Sequence, residues 1–152
     1  MVDNFIGVTI RDAHDRDLSA IETLLRTVGL PVLGVRDHMK HFLVLVDDSH
    51  LIGTVGLEIY HGGALLRSLA VTAAHQGKGH GKRLCQAIIA EARRQNVSVL
   101  YLLTETAADF FESLGFETIS RDVVHDSVKA SSEFQLCACE SAVCMRLGLS
   151  EA

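Results

Sequence analysis

The sequence predicts an α/β (α+β) chain with a mixed, mostly antiparallel central sheet flanked by helices. Three observations predict it: ordinary globular composition, a block of β-rich runs between residues 42 and 71, and a switch to helical period just after that block. Of the 152 residues, 48% are hydrophobic and 22% charged, which excludes a disordered chain, a collagen-like fibre and a disulfide miniprotein. A chain of this length buries roughly 70% of its unfolded surface, so a single domain over residues 1–152 is expected.

In order along the chain, Val8 to Arg11 reads as a first strand, and Ile21, Leu24, Leu25 and Val28 recur at helical spacing until Gly29 and Pro31 stop them. Phe42 to Val46 and Leu51 to Tyr60 are strands joined by Asp47-Asp48-Ser49-His50, which is hairpin chemistry. Ala64 to Val71 follows His61-Gly62-Gly63, so three adjacent antiparallel strands are expected. Leu84, Cys85, Ile88, Ile89 and Ala92 then mark one face of a helix, with Arg93 and Arg94 in its last turn, where positive charge suits the dipole. Val97 to Thr104 is a buried strand, Ala107 to Leu114 a short helix closed by Gly115, and Phe116 to Ser120 another strand. A polar helical segment near Asp122 to Ala130 and a last strand near Val143 to Leu147 complete the pattern. That last strand, read as an edge, offers a surface for a homodimer.

The formal charge is −5, from 19 acidic and 14 basic residues, which argues against nucleic-acid binding by phosphate neutralisation. No apolar run approaches the roughly 18 residues that cross a bilayer, and the start Met1-Val2-Asp3-Asn4 lacks the basic residues of a signal peptide. A cytoplasmic protein with no membrane or nucleic-acid partner is expected. In that compartment Cys85, Cys137, Cys139 and Cys144 are expected as thiols.

The most informative stretch is Leu69-Ala70-Val71 followed by Gln76-Gly77-Lys78-Gly79-His80-Gly81-Lys82, a strand, a glycine turn and a helix start. Glycines at alternate positions remove Cβ atoms so that N–H groups converge on a ligand, and the helix start adds its own unpaired donors. The stretch is an anion cradle suited to phosphate. Two better-known phosphate loops fail on spacing: a Walker A loop needs glycine where Gln76 stands and Ser or Thr where Arg83 stands, and a dinucleotide fingerprint needs G-x-G-x-x-G.

The pattern [Gln/Arg]-x-x-Gly-x-[Gly/Ala] does fit, through Gln76, Gly79 and Gly81, and it resembles the pyrophosphate loop of the GNAT superfamily of N-acetyltransferases. The later run Asp109-Phe110-Phe111-Glu112-Ser113-Leu114-Gly115-Phe116 is similar to that family's late helix-turn-strand signature. The resemblance covers nearly the whole chain. It implies acetyl transfer from acetyl-CoA to an amine by direct attack, with no covalent enzyme intermediate and no metal. Leu69, Ala70 and Val71 would face the pantetheine arm, Gln76 to Lys82 the pyrophosphate, and Phe111 the cofactor from the late helix.

Such a transfer needs a base for the ammonium, a donor for the thioester oxygen and a proton for the departing thiolate. The resemblance gives the backbone N–H of Leu69 as the donor. Glu58 is the first candidate base, directly or through water; the alternative is an outward-facing strand carboxylate between Leu57 and Ile59. Many relatives carry Tyr where this chain has Phe111, so the usual phenol acid is missing. Tyr101 reads as core, and His75 and His80 read as cofactor contacts or solvated loop residues. Arg67, two residues before Leu69, reads either as a clamp for a substrate carboxylate or as a surface ion pair with Glu58. His38, Lys40 and His41 read as a solvated loop beside the acceptor pocket or as contributors to it.

A narrower resemblance is carried by Ala64 to Val71, by Leu100-Tyr101-Leu102-Leu103-Thr104-Glu105-Thr106-Ala107, by Glu133-Phe134 and by Ser141-Ala142-Val143-Cys144-Met145. These runs are similar to N-acetyltransferases encoded with arsenic-resistance genes and to amino-acid (glutamate) N-acetyltransferase domains, which implies a small amino-acid-like acceptor. A protein N-terminus or an aminoglycoside are the other amines that such a site takes. Cys137-x-Cys139-x4-Cys144 supplies a second class, a thiol module for a soft metal or metalloid, against small buried hydrophobes. Phe111 supplies a third, an acyl-CoA-binding regulator without turnover.

Overall fold

The computed structural model describes residues 7–136 and 141–149. Its strands are β1 (Val8–Asp12), β2 (Phe42–Asp47), β3 (His50–Tyr60), β4 (Gly63–Val71), β5 (Val99–Thr104), β6 (Glu117–Thr118) and β7 (Val143–Gly148). The helices are α1 (Leu18–Thr27), α2 (His80–Arg94), α3 (Ala108–Ser113), α4 (Asp126–Lys129) and α5 (Ser132–Leu136). The strands form one sheet in the order β1-β2-β3-β4-β5-β7-β6, mostly antiparallel, as the sequence predicts. By contact density the chain divides into two compact units, one of residues 1–56 and 68–89, the other of residues 57–67 and 90–152.

In the first unit, the apolar stripe of α1 and the inner positions of β2 close one core: Ile21, Leu24 and Leu25 pack with Phe42, Val44, Val46, Val35, Met39 and Ala70. The β2–β3 hairpin turns at Asp48-Ser49, between the paired Asp47 and His50. Asp48 takes φ 55 there, the left-handed conformation that a two-residue hairpin turn requires. Helix α1 ends before Val28, which is 37% exposed; it lies past the last helical turn, so its place in the apolar periodicity does not bury it. Residues Arg36–His41 form a short 3₁₀ helix with Met39 buried, where the sequence suggests a loop.

In the second unit, Leu65, Tyr101, Val124, Val128, Phe134 and Cys144 form the core. β5 pairs with β7 along Val99–Thr104, and β7 pairs in turn with β6. The last strand is therefore interior, which corrects the expectation of a C-terminal edge. The helical segment expected near 122–130 is a 3₁₀ turn at Arg121–Val123 followed by α4, and α5 is a further helix beyond it. His125 Nδ1 accepts the Ser127 N–H at 3.0 Å to begin α4, and Ser131 Oγ accepts the Phe134 N–H at 3.3 Å to begin α5. The parallel ladder of β4 with β5 holds two pairs, Ala64 with Leu100 and Leu65 with Tyr101. Among the described residues, no helix is long and apolar enough to cross a membrane.

Candidate active site

β4 carries the centre of the site. Almost every one of its residues is buried, and its sequence switches from apolar to Arg67-Ser68 and back. Ser68 takes φ 62 inside the strand, a region that few residues other than glycine adopt. Two residues apart, Arg67 and Leu69 would share one face of a regular pleat, and the left-handed Ser68 between them breaks that pleat. Such conformations cost about 1–3 kcal/mol and gather at functional sites.

Within the second unit, Arg67 is fully buried, and its Nη1 donates to Glu58 Oε2 at 2.6 Å. The other oxygen of Glu58 accepts the phenol of Tyr60, two residues along β3 and therefore on the same face. Glu133, from α5, brings a second carboxylate to the guanidinium, with Oε2 3.7 Å from Arg67 Nε. Burial lifts the Glu133 carboxyl to about 7, with Arg67 opposing and Glu58 adding to the rise. Burial and the bond to Glu58 also raise the Tyr60 phenol. Both alternatives that placed Glu58 on a surface are thereby corrected. It is 1% exposed, and its ion pair with Arg67 lies inside the fold. Tyr60 was legible in the i, i+2 spacing from Glu58. Glu133 sits in a polar run with no such signal.

Within the first unit, Gly77 and Gly79 take φ 79 and 84, and a Cβ built on either meets nothing within 4 Å. The conformation requires glycine, and the space before the backbone is open. Gln76 Nε2 donates to Val71 O at 2.9 Å, tying the start of the loop to the end of β4. The first α2 bond runs from Arg83 N to Gly79 O at 3.1 Å, so the N–H groups before Arg83 lie ahead of the helical ladder. Gln76, Gly77, Lys78, Gly79 and Lys82 are exposed and Gly81 is half-buried. These features fit a pyrophosphate.

His80 is 5% exposed, which corrects the solvated reading. Burial, with Arg83, His75 and Lys78 nearby, lowers its imidazole below the ordinary range. His75 bonds Thr72 Oγ1 at 2.9 Å and lies 3.7 Å from Asp47.

Phe111 is buried between Phe110 and Phe116, with ring centroids 5.1 and 5.5 Å away. Tyr101 belongs to the second core, as expected. Cys144 is buried in that core too, and burial raises its thiol. Cys137 and Cys139 lie outside the described residues. Among the described residues, no group of three His, Cys, Asp or Glu is arranged to hold a metal.

Comparison with known proteins agrees with this architecture. An amino-acid acetyltransferase of Neisseria meningitidis is 32% identical over 124 residues, covering 76% of this chain and 28% of the relative. The uncharacterized protein YwlB of Bacillus subtilis is 30% identical over 113 residues, 71% of this chain and 76% of that one. The crystal structure of N-acetylglutamate synthase from Neisseria gonorrhoeae, complexed with coenzyme A and N-acetyl-glutamate, superposes with a TM-score of 0.82 at 25% identity over 95% of this chain and 35% of that one. The chain thus spans about a third or less of the named amino-acid acetyltransferases. The model of the acetyltransferase (GNAT) domain matches residues 38–118, a span that holds the buried β3–β4 ion pair, the left-handed Ser68, the glycine loop and the Phe111 helix; the chain belongs to the GNAT acetyltransferase family.

Proposed function

We propose that this chain is an acetyl-CoA-dependent N-acetyltransferase, a single domain over residues 1–152, acting on the amine of a small amino-acid-like acceptor. The observation that carries the reading is the buried Glu58–Arg67–Glu133 cluster with Tyr60, centred on Arg67 of the strand that runs into the glycine loop. The relatives named amino-acid acetyltransferases, and the gonococcal structure with coenzyme A and N-acetyl-glutamate, support the same substrate class.

In this reading, backbone donors from Gln76 to Lys82 hold the pyrophosphate, aided by the helix dipole and by the charges of Lys78 and Lys82. Leu69, Ala70 and Val71 offer main-chain groups to the pantetheine arm, and Phe111 gives it an apolar wall. The Leu69 N–H donates to the thioester oxygen as negative charge builds there. Arg67 organises the acidic groups of the acceptor site, and an acceptor carboxylate would have to compete with them for it. The thiolate leaves without a phenol at position 111; a thiol has an ordinary value of about 8.5, so an unassisted departure slows the reaction without forbidding it.

The test is mass-spectrometric detection of acetylated product from acetyl-CoA and a pool of α-amino acids, their phosphinate and arsinate analogues, polyamines and peptides. Acetylation of an amino-acid-like member supports the reading. Preference for the phosphinate or arsinate analogues would extend it to arsenic or xenobiotic resistance in the cytoplasm. Binding of coenzyme A with no member acetylated would favour a regulator, which is what the phenylalanine at position 111 would suit.

A further inference from the structure

We propose that Glu133 is the catalytic base of this site, taking the proton of the acceptor's ammonium group, and that Glu58, Arg67 and Tyr60 are the residues that position it. The inference rests on the acetyl-transfer reading above and assigns the base within it.

Two carboxylates compete for that role, and their surroundings differ. Glu58 has a donor on each oxygen, Tyr60 on Oε1 and Arg67 Nη1 on Oε2. A carboxylate with a donor on each oxygen is held in one orientation by the protein. Glu133 faces the same guanidinium at 3.7 Å, an ion-pair distance and longer than a hydrogen bond. It is also 8% exposed against 1% for Glu58, so it is the more accessible of the two carboxylates.

The charge balance points the same way. Two carboxylates share one guanidinium, so the cluster is neutral with one proton and carries a net negative charge without it. In the negative state it attracts an ammonium ion, and on taking the proton it becomes neutral. The groups around Glu133 are Arg67 on β4 and Glu58 and Tyr60 on β3. Tyr101 on β5 and Cys144 on β7 lie in the core beside its neighbour Phe134, and Asp126 and Lys129 on α4 pair with each other at 3.6 Å. Its carboxyl is raised to about 7, which suits a base working near neutral pH.

The Glu133 carboxylate takes one proton from R–NH3+ and leaves R–NH2. The nitrogen lone pair forms the C–N bond at the thioester carbon, and the C–S bond breaks with its electron pair on sulfur. The second nitrogen proton passes to the thiolate as the amide forms, and Glu133 returns the first to solvent.

The test measures kcat and kcat/KM against pH for the full chain with acetyl-CoA, using each proteinogenic α-amino acid in turn as the acceptor probe. Wild-type kcat/KM should rise with pH through an inflection near 7 and level above it. Glu133→Gln should lose that inflection and drop kcat a hundredfold or more, with the affinity for coenzyme A by calorimetry within threefold of wild type. Glu133→Asp should keep the inflection, and Glu58→Gln should move it to lower pH, because removing the neighbouring negative charge eases ionisation of Glu133. A purely structural Glu133 would not move the inflection in this way.

Infrared difference spectra should show a carboxylic acid titrating near 7 in wild type and none in Glu133→Gln, a readout independent of turnover. An inflection that survives in Glu133→Gln with kcat within threefold overturns the assignment while leaving the acetyltransferase reading intact. Failure of wild type to acetylate any probe overturns that reading and this assignment with it.

Discussion

Arg67 Nη1 lies 2.6 Å from Glu58 Oε2, with the guanidinium 0% and the carboxylate 1% exposed. An ion pair so placed repays its desolvation only when both partners are present. Arg67→Ala strands two carboxylates inside the second unit, and the expected loss is about 3–5 kcal/mol of unfolding free energy. Glu58→Leu combined with Arg67→Met should recover part of it, because the Glu58–Arg67 pair is then neutral and Glu133 alone is left to bind a proton. Urea unfolding of the single and double variants at one pH checks this. A loss under about 1 kcal/mol for Arg67→Ala would contradict the pairing.

Glu133 makes stability depend on pH in a stated direction. Its carboxyl ionises at about 7 in the folded chain against an ordinary 4.5, so between those values the folded state binds more protons than the unfolded one. Stability from this group is complete below 4.5 and is lost as pH rises through 7. The span corresponds to roughly 3 kcal/mol. Asp17, held low by its bond with Arg11, acts the opposite way, and its contribution fades only as pH falls below the ordinary carboxylate range. Unfolding free energies from pH 5 to 8 should therefore decline for wild type and stay nearly flat for Glu133→Gln. At pH 8 the variant should be the more stable protein.

The sheet, the glycine loop and the order of helices were legible because each rests on local pattern: period two, period 3.6, and glycines where φ is positive. The β2–β3 turn, with its left-handed Asp48, follows from four residues alone. The acidic cluster was legible only in part. Arg67 inside an apolar run announced a reason for its charge, but burial decided which reason, and burial depends on contacts across the sheet. Glu133 arrives 66 positions after Arg67 in the sequence, on a five-residue helix, and no spacing rule connects them. Ser68 escaped because nothing in Leu-Arg-Ser-Leu-Ala requires a left-handed residue.

Gly79 stands in the glycine turn with open space before it. Its φ of 84 disfavours any side chain, yet a Cβ there meets no atom within 4 Å. Gly79→Ala should cost only the backbone penalty, about 1 kcal/mol, and lower the melting temperature by roughly 2–4 °C. Affinity for coenzyme A, measured by calorimetry, should fall tenfold or more, since the methyl group enters the space before the loop amides. Unchanged affinity would remove the glycine turn from the pyrophosphate site.

Ser68 ties backbone strain to the proposed oxyanion donor. Its φ of 62 within β4 sets the direction of the next peptide, whose N–H belongs to Leu69. Glycine adopts that conformation freely, and a β-branched residue does so at a steric cost of roughly 1–2 kcal/mol. Ser68→Gly should therefore keep kcat within about threefold of wild type. Ser68→Val should return the residue to extended backbone, turn the Leu69 amide and lower kcat by about 10²–10³, the cost of one lost oxyanion donor. Because the acidic cluster and the glycine loop are left in place, KM for the acceptor and affinity for coenzyme A should change far less than kcat. Steady-state kinetics on the two variants, with thermal unfolding to confirm that both are folded, decide the matter: equal kcat values for Gly and Val at position 68 would mean that the left-handed residue plays no part in aiming that donor.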